Sequence, residues 1–104
     1  MKVFISGKMT GIEDYNRPLF NKTAKELTEH GHIAINPAML PEGLDVADYR
    51  RICRAMIHSC DCIVLLKGWE DSVGANAEID MARDMNKKIF LYRIDEVENA
   101  PFID

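Results

Sequence analysis

The chain has 104 residues, 47% of them hydrophobic, and a net charge of −4. That length suits one domain, 1–104, and the apolar share is too high for a disordered chain. No apolar run approaches the roughly 20 residues that cross a bilayer, and no dominant Lys/Arg cluster marks a binder of nucleic-acid polymers. Neither a membrane nor a nucleic-acid polymer is therefore expected as partner. The opening Met1–Ser6 is too short for a signal h-region. Cys53, Cys60 and Cys62 are odd in number and form no disulfide pattern. Reduced, partly buried thiols fit a cytoplasmic protein. His30 and His32 are two apart and His58 stands alone, so no metal and no cofactor is expected.

Val3-Phe4-Ile5 reads as a strand that breaks at Ser6-Gly7, and a loop follows to Asn16. Pro18 suits the first turn of a helix. Leu19, Phe20, Thr23, Ala24 and Leu27 carry its apolar stripe, and Gly31 is placed to end it. His32–Ile35 is a second strand, stopped by Asn36-Pro37, and a Pro- and Gly-containing loop runs to Leu44. Asp45 is placed to cap a second helix with Asp48 in its first turn. That helix buries Tyr49, Ile52, Cys53, Met56 and Ile57, while Arg50, Arg51 and Arg54 form a solvated face. Cys62–Leu66 is a continuous apolar run, the pattern of a strand covered on both faces. A loop holds residues 68–72, a helix runs from about Gly74 to Asn86, and Lys88–Tyr92 is the fourth strand. The order βαβαβαβ defines an α/β fold: a doubly wound, flavodoxin-like or Rossmann-like parallel sheet of four or five strands. Ligands of such sheets bind beyond the carboxyl ends of the strands, at the switch point.

On a helical wheel Glu78 falls on the apolar side of the third helix, between Ala75 and Ala82. Burying an unpaired charge is costly. Either this carboxylate bends to solvent or a basic partner, or it serves a site. Ser72 and the amides around Val73, Gly74 and Ala75 make a helix start that suits an anion, and Gly74 permits close approach to the backbone. Read alone, Ser72 is equally an ordinary N-cap. The Gly-bracketed loop Ser6-Gly7-Lys8-Met9-Thr10-Gly11 lies at the same sheet edge. Trp69, Met39, Leu40, Tyr49 and Met56 are more large apolar groups than so small a core holds, so an exposed patch and a homodimer or larger assembly are expected.

Asp61–Leu66 followed by Ser72-Val73-Gly74-Ala75-Asn76-Ala77-Glu78 resembles the signature of the nucleoside 2-deoxyribosyltransferase-like superfamily: an Asp opening the third strand, then Gly-x-x-x-Glu at the next helix. Phe4–Gly11 is similar to that superfamily's first-strand loop. The resemblance covers about residues 2 to 92, and Gly68–Glu78 looks like a small branch with Gly-Trp-Glu-Asp-Ser-x-Gly-Ala-x-x-Glu. It implies a nucleoside or nucleotide as small-molecule partner, with Glu78 as the nucleophile that attacks the sugar's anomeric carbon. It implies Ser72 as a holder of a 5′-phosphate, as in nucleoside monophosphate N-glycosidases. Gly7, Lys8, Met9, Thr10 and Gly11 then form the loop over sugar and phosphate, and Asn36 lies near the base. Where the superfamily carries a base-handling Asp on the second helix, this chain has Cys53. Asp71 is the substitute the loop offers. The resemblance further implies that a neighbouring copy closes the pocket, through the second helix or the tail Asn99–Asp104. The alternative is a non-catalytic module that binds a nucleotide or a nucleotide-derived signal in the same pocket.

Overall fold

The structure, a computed structural model that describes residues 1–93, contains four parallel strands and three principal helices. They are β1 (Lys2–Ser6), α1 (Arg17–Glu29), β2 (Ile33–Ile35), α2 (Val46–Ser59), β3 (Cys62–Leu65), α3 (Val73–Asp84) and β4 (Lys88–Leu91). The strand order β2-β1-β3-β4 is that of a doubly wound sheet, in register with Val3 opposite Cys62 and Ser6 opposite Leu65. The chain runs outward from β1 to β2, then returns to place β3 on the other side of β1. The switch point therefore lies between the carboxyl ends of β1 and β3.

Alternation along the strands divides the core. Val3, Ile5, Cys62, Val64 and Phe90 pack with Phe20 and Leu27 of α1. Phe4, Ile63, Leu65 and Ile89 pack with Cys53, Ile57, Ile79 and Ala82 of α2 and α3. Both faces are covered, which is why Cys62–Leu65 reads as an unbroken apolar run.

The helix ends follow the local chemistry. Gly31, at φ +84°, closes α1: its amide donates to Thr28 O at 3.0 Å and His32 N donates to Leu27 O at 3.0 Å. This is the paired-bond C-terminal motif that favours glycine. Asn86 does the same for α3, with Lys87 N on Ala82 O at 2.8 Å. At α2 the expectation fails. Asp45 occupies the N-cap position, but its side chain accepts no capping hydrogen bond. Asp61, which opens the third strand, accepts from Lys2 N at 2.8 Å. It thus stitches β1 to β3 at the amino edge of the sheet, opposite the ligand edge. No helix among the described residues is long and apolar enough to cross a membrane.

Candidate active site

The carboxyl ends of the strands open into a cleft of about 560 Å³, a volume suited to a small organic ligand. Gly7, Lys8, Met9 and Thr10 line it after β1, and Asp71, Ser72, Val73 and Gly74 line it before α3. Leu40, Leu44 and Val46 form an apolar wall from the segment leading into α2.

Glu78 lies in this cleft, only 6% exposed. Ser6, at the last position of β1, donates its hydroxyl to Glu78 Oε1 at 2.7 Å. Residues 72 apart in sequence thus meet at the switch point. Burial pushes the Glu78 carboxyl up to about 7, and the hydrogen bonds from Ser6 and Cys53 and the charge of Arg50 oppose that rise. A carboxyl whose pKa is raised by a low-dielectric site and whose orientation is fixed by the Ser6 hydroxyl is equipped to act as nucleophile or proton carrier. Beside it, burial and the Glu78 charge push the Cys53 thiol up to about 12, so Cys53 is a neutral neighbour. Burial likewise raises the Tyr49 phenol, whose hydroxyl donates to Met9 Sδ at 3.2 Å and ties the β1 loop to α2.

The α3 entrance is held from within. Ser72 Oγ accepts from Ala75 N at 3.0 Å, and Asn76 Nδ2 donates to Ser72 O at 2.8 Å. Helix geometry leaves the first amides, those of Val73 and Gly74, without intrahelical carbonyl partners. A Cβ at position 74 would come no nearer than 3.8 Å to any other part of the chain, so packing does not demand glycine there. At Gly7, by contrast, a Cβ would meet Leu66 Cβ at 3.0 Å.

The β1 loop carries backbone strain. Asp14, Tyr15 and Asn16 all hold positive φ, at 52°, 51° and 62°. This conformation costs an L-residue about 1–2 kcal/mol. Asn16 Nδ2 donates to Lys8 O at 2.9 Å, and Arg17 stacks over Tyr15 while pairing with Asp14 and Glu42.

Two of the residues expected at the site stand outside the cleft lining. Asn36 spends its side chain elsewhere: Oδ1 accepts from Ala38 N at 3.0 Å and Nδ2 donates to Asn21 at 2.9 Å. Gly11 serves as a turn residue at φ +84°. Asp71 reaches the rim and is exposed. The sequence reading missed Arg50, assigned to a solvated face: it is half-buried and lines the cleft, whereas Arg51 and Arg54 are exposed. The signal was available. Val46, Arg50 and Cys53 recur at helical spacing, so Arg50 shares the face that carries the buried Cys53. The apolar patch is also smaller than expected. Leu40, Tyr49, Met56 and Trp69 pack partly buried against the core, leaving Met39 exposed. The tail 99–104 lies outside the described residues. Among the described residues no group of three His, Cys, Asp or Glu side chains is disposed to hold a metal ion.

An open parallel sheet with a buried carboxylate at its switch point defines an α/β protein with a candidate ligand cleft. A family model described as "Domain of unknown function (DUF4406)" matches residues 1–91, and the chain belongs to that family. No curated protein matches it. Among solved structures the fold is similar to that of the 2-deoxyribosyltransferase of Bacillus psychrosaccharolyticus, with a TM-score of 0.71 at 14% identity, covering 98% of this chain and 93% of that one. It is also similar to the CMP N-glycosidase BcmB of Clostridium botulinum, with a TM-score of 0.64 at 23% identity, covering 96% and 82%. At these identities the likeness establishes the fold.

Proposed function

We propose that this protein breaks the N-glycosidic bond of a nucleoside 5′-monophosphate, passing the sugar through a covalent ester on Glu78 to water or to a second base. The observation that carries the reading is the Ser6–Glu78 pair, a buried carboxylate fixed at 2.7 Å on the floor of a cleft at the switch point. The two solved neighbours named above are a deoxyribosyltransferase and an N-glycosidase, which supports sugar–base chemistry for this fold. In the first step Glu78 forms a C–O bond to the anomeric carbon as the C–N bond breaks, and the electron pair goes to the base. The acceptor then attacks the ester and frees the carboxylate.

Ser72, with the Val73 and Gly74 amides, receives the 5′-phosphate at the positive end of α3. Lys8 adds charge from the β1 loop, and Met9 and Thr10, on the loop that turns at Gly11, cover the sugar. Asp71 on the rim is the candidate acid. The working unit is a homodimer, because Val46 at 70% exposure and Val73 at 80% leave apolar groups at the cleft mouth for a second copy to cover.

A second reading is favoured by Cys53, a neutral thiol on the helix face where a base-handling carboxylate is wanted. On that reading the cleft binds a nucleotide without cleaving it. Incubation with a panel of nucleoside 5′-monophosphates and chromatography of the products separates the two. The first reading expects free base from at least one nucleotide. Binding with no release from any supports the module.

A further inference from the structure

Besides the rim acid Asp71, the cleft carries a second group able to serve a departing base. Arg50 projects from α2, half-buried, into the lining that also holds Leu40, Leu44 and Val46. Arg17, the other arginine in the cleft, is taken up by Asp14 and Glu42. No salt bridge or hydrogen bond joins Arg50 to another described residue. Its charge acts on the buried Glu78 carboxylate, but no hydrogen bond among the described residues occupies its N–H groups, which are left to face a ligand. Asp71, the rim acid, adjoins Ser72 at the end of the cleft assigned to phosphate. Arg50 stands on the helix face that looks over Glu78 beside the apolar wall, the side left for the base.

We propose that Arg50 receives the departing base, donating its N–H groups to a carbonyl oxygen adjacent to the glycosidic nitrogen, so that the base leaves as a stabilised anion rather than by protonation from a carboxylic acid. This rests on the glycosidase reading and concerns how its leaving group is served. The electron pair of the breaking C–N bond goes to the ring nitrogen and delocalises onto that carbonyl, where a guanidinium meets it with paired donors. Arg50 gives up no proton. The water that later opens the Glu78 ester supplies the hydroxyl to the sugar, and its remaining proton neutralises the released base. The substrate class follows: nucleotides whose base has a carbonyl beside the glycosidic nitrogen, as in pyrimidines, ahead of adenine nucleotides, whose base lacks one.

The test is leaving-group dependence in wild-type protein, Arg50→Met, Arg50→Lys and Asp71→Asn. Substrates are uridine 5′-monophosphate, its 5-fluoro analogue with a more acidic base, and adenosine 5′-monophosphate. Wild type is expected to favour the two uridines. Arg50→Met is expected to slow uracil release by about 100-fold, the usual effect of removing one preorganised donor, and 5-fluorouracil release by much less. Arg50→Lys recovers part of the loss, which also guards against a folding defect in Arg50→Met. An equal loss on both uridines overturns the proposal. So does a leaving-group-dependent loss in Asp71→Asn instead. Absence of base release by the wild type overturns the glycosidase reading itself, and this proposal with it.

Discussion

Burial of Glu78 makes the stability of the fold depend on pH. Its folded pKa of about 7 lies above the ordinary 4.5, so the folded chain holds this proton more tightly than the unfolded one. Below about pH 4.5 both states are protonated and burial of Glu78 carries no ionisation penalty. Between 4.5 and 7 the unfolded chain ionises first, and stability falls by about 3 kcal/mol in total. Burial opens this window, and Ser6 from β1 and Cys53 and Arg50 from α2, the groups that face the carboxyl, narrow it. Denaturant melts across pH 4 to 8 are expected to show wild type losing that amount relative to Glu78→Gln. A difference that does not change with pH means the carboxylate is not withdrawn from water. Base release, which needs the carboxylate ionised, rises through the same pH near 7, and in Arg50→Met the rise moves to higher pH. Ser72→Asp separates cap from ligand, because Asp also caps helices well. The variant is expected to keep its melting temperature within a few degrees. In calorimetric titrations it binds nucleosides better than their 5′-monophosphates, the reverse of wild type. Equal affinities for both ligands in wild type rule out a phosphate site at Ser72.

At the scale of elements, the two glycines at the cleft make opposite predictions. Gly7→Ala drives a Cβ into Leu66 and is expected to cost about 1–3 kcal/mol through overpacking. Gly74→Ala makes only an ordinary contact, 3.8 Å to Ser72 Oγ, and gains helix propensity, so stability holds or rises by up to about 1 kcal/mol. Its cost falls on nucleotide binding, weakened tenfold or more, because the methyl occupies the approach to the amides. Melts and titrations on both variants check the pair, and unchanged affinity in Gly74→Ala removes the ligand from this helix end. Elements were the most legible level of the sequence. Periods of 3.6 and apolar runs marked the three principal helices and the four strands, and Gly31 marked a helix end, because burial on a two-faced sheet leaves that imprint; the short 3-10 helices Glu13–Asn16, Pro37–Met39 and Trp69–Asp71 fall in segments that read as loops. Glu78 was legible as a charge on an apolar stripe. Arg50 was hidden because it sits in sequence beside two exposed arginines and only the side of α2 tells them apart. Asn36 was misplaced because turns like Asn-Pro spend the Asn side chain on their own backbone. The left-handed run 14–16 has no glycine to announce it; tertiary contacts hold it.

For the molecule as a whole, about 100 residues around four strands leave a shallow cleft with apolar groups at its mouth. Met39 is 76% exposed, close in sequence to the wall residue Leu40. A two-fold dimer that covers Val46 and Val73 on both chains is the expected closure. Light scattering at micromolar concentration is expected to give twice 11.8 kDa, and Val73→Lys to return it to one chain. A wild-type monomer that still turns over nucleotide places the whole site on one chain. Base release by this protein requires a reactive Ser6–Glu78 pair. Its most direct test is chromatographic detection of free base from nucleoside 5′-monophosphates, run with wild type and Glu78→Gln side by side. Base is expected from wild type and none above background from a folded Glu78→Gln; turnover by Glu78→Gln near the wild-type rate would contradict a covalent role for Glu78.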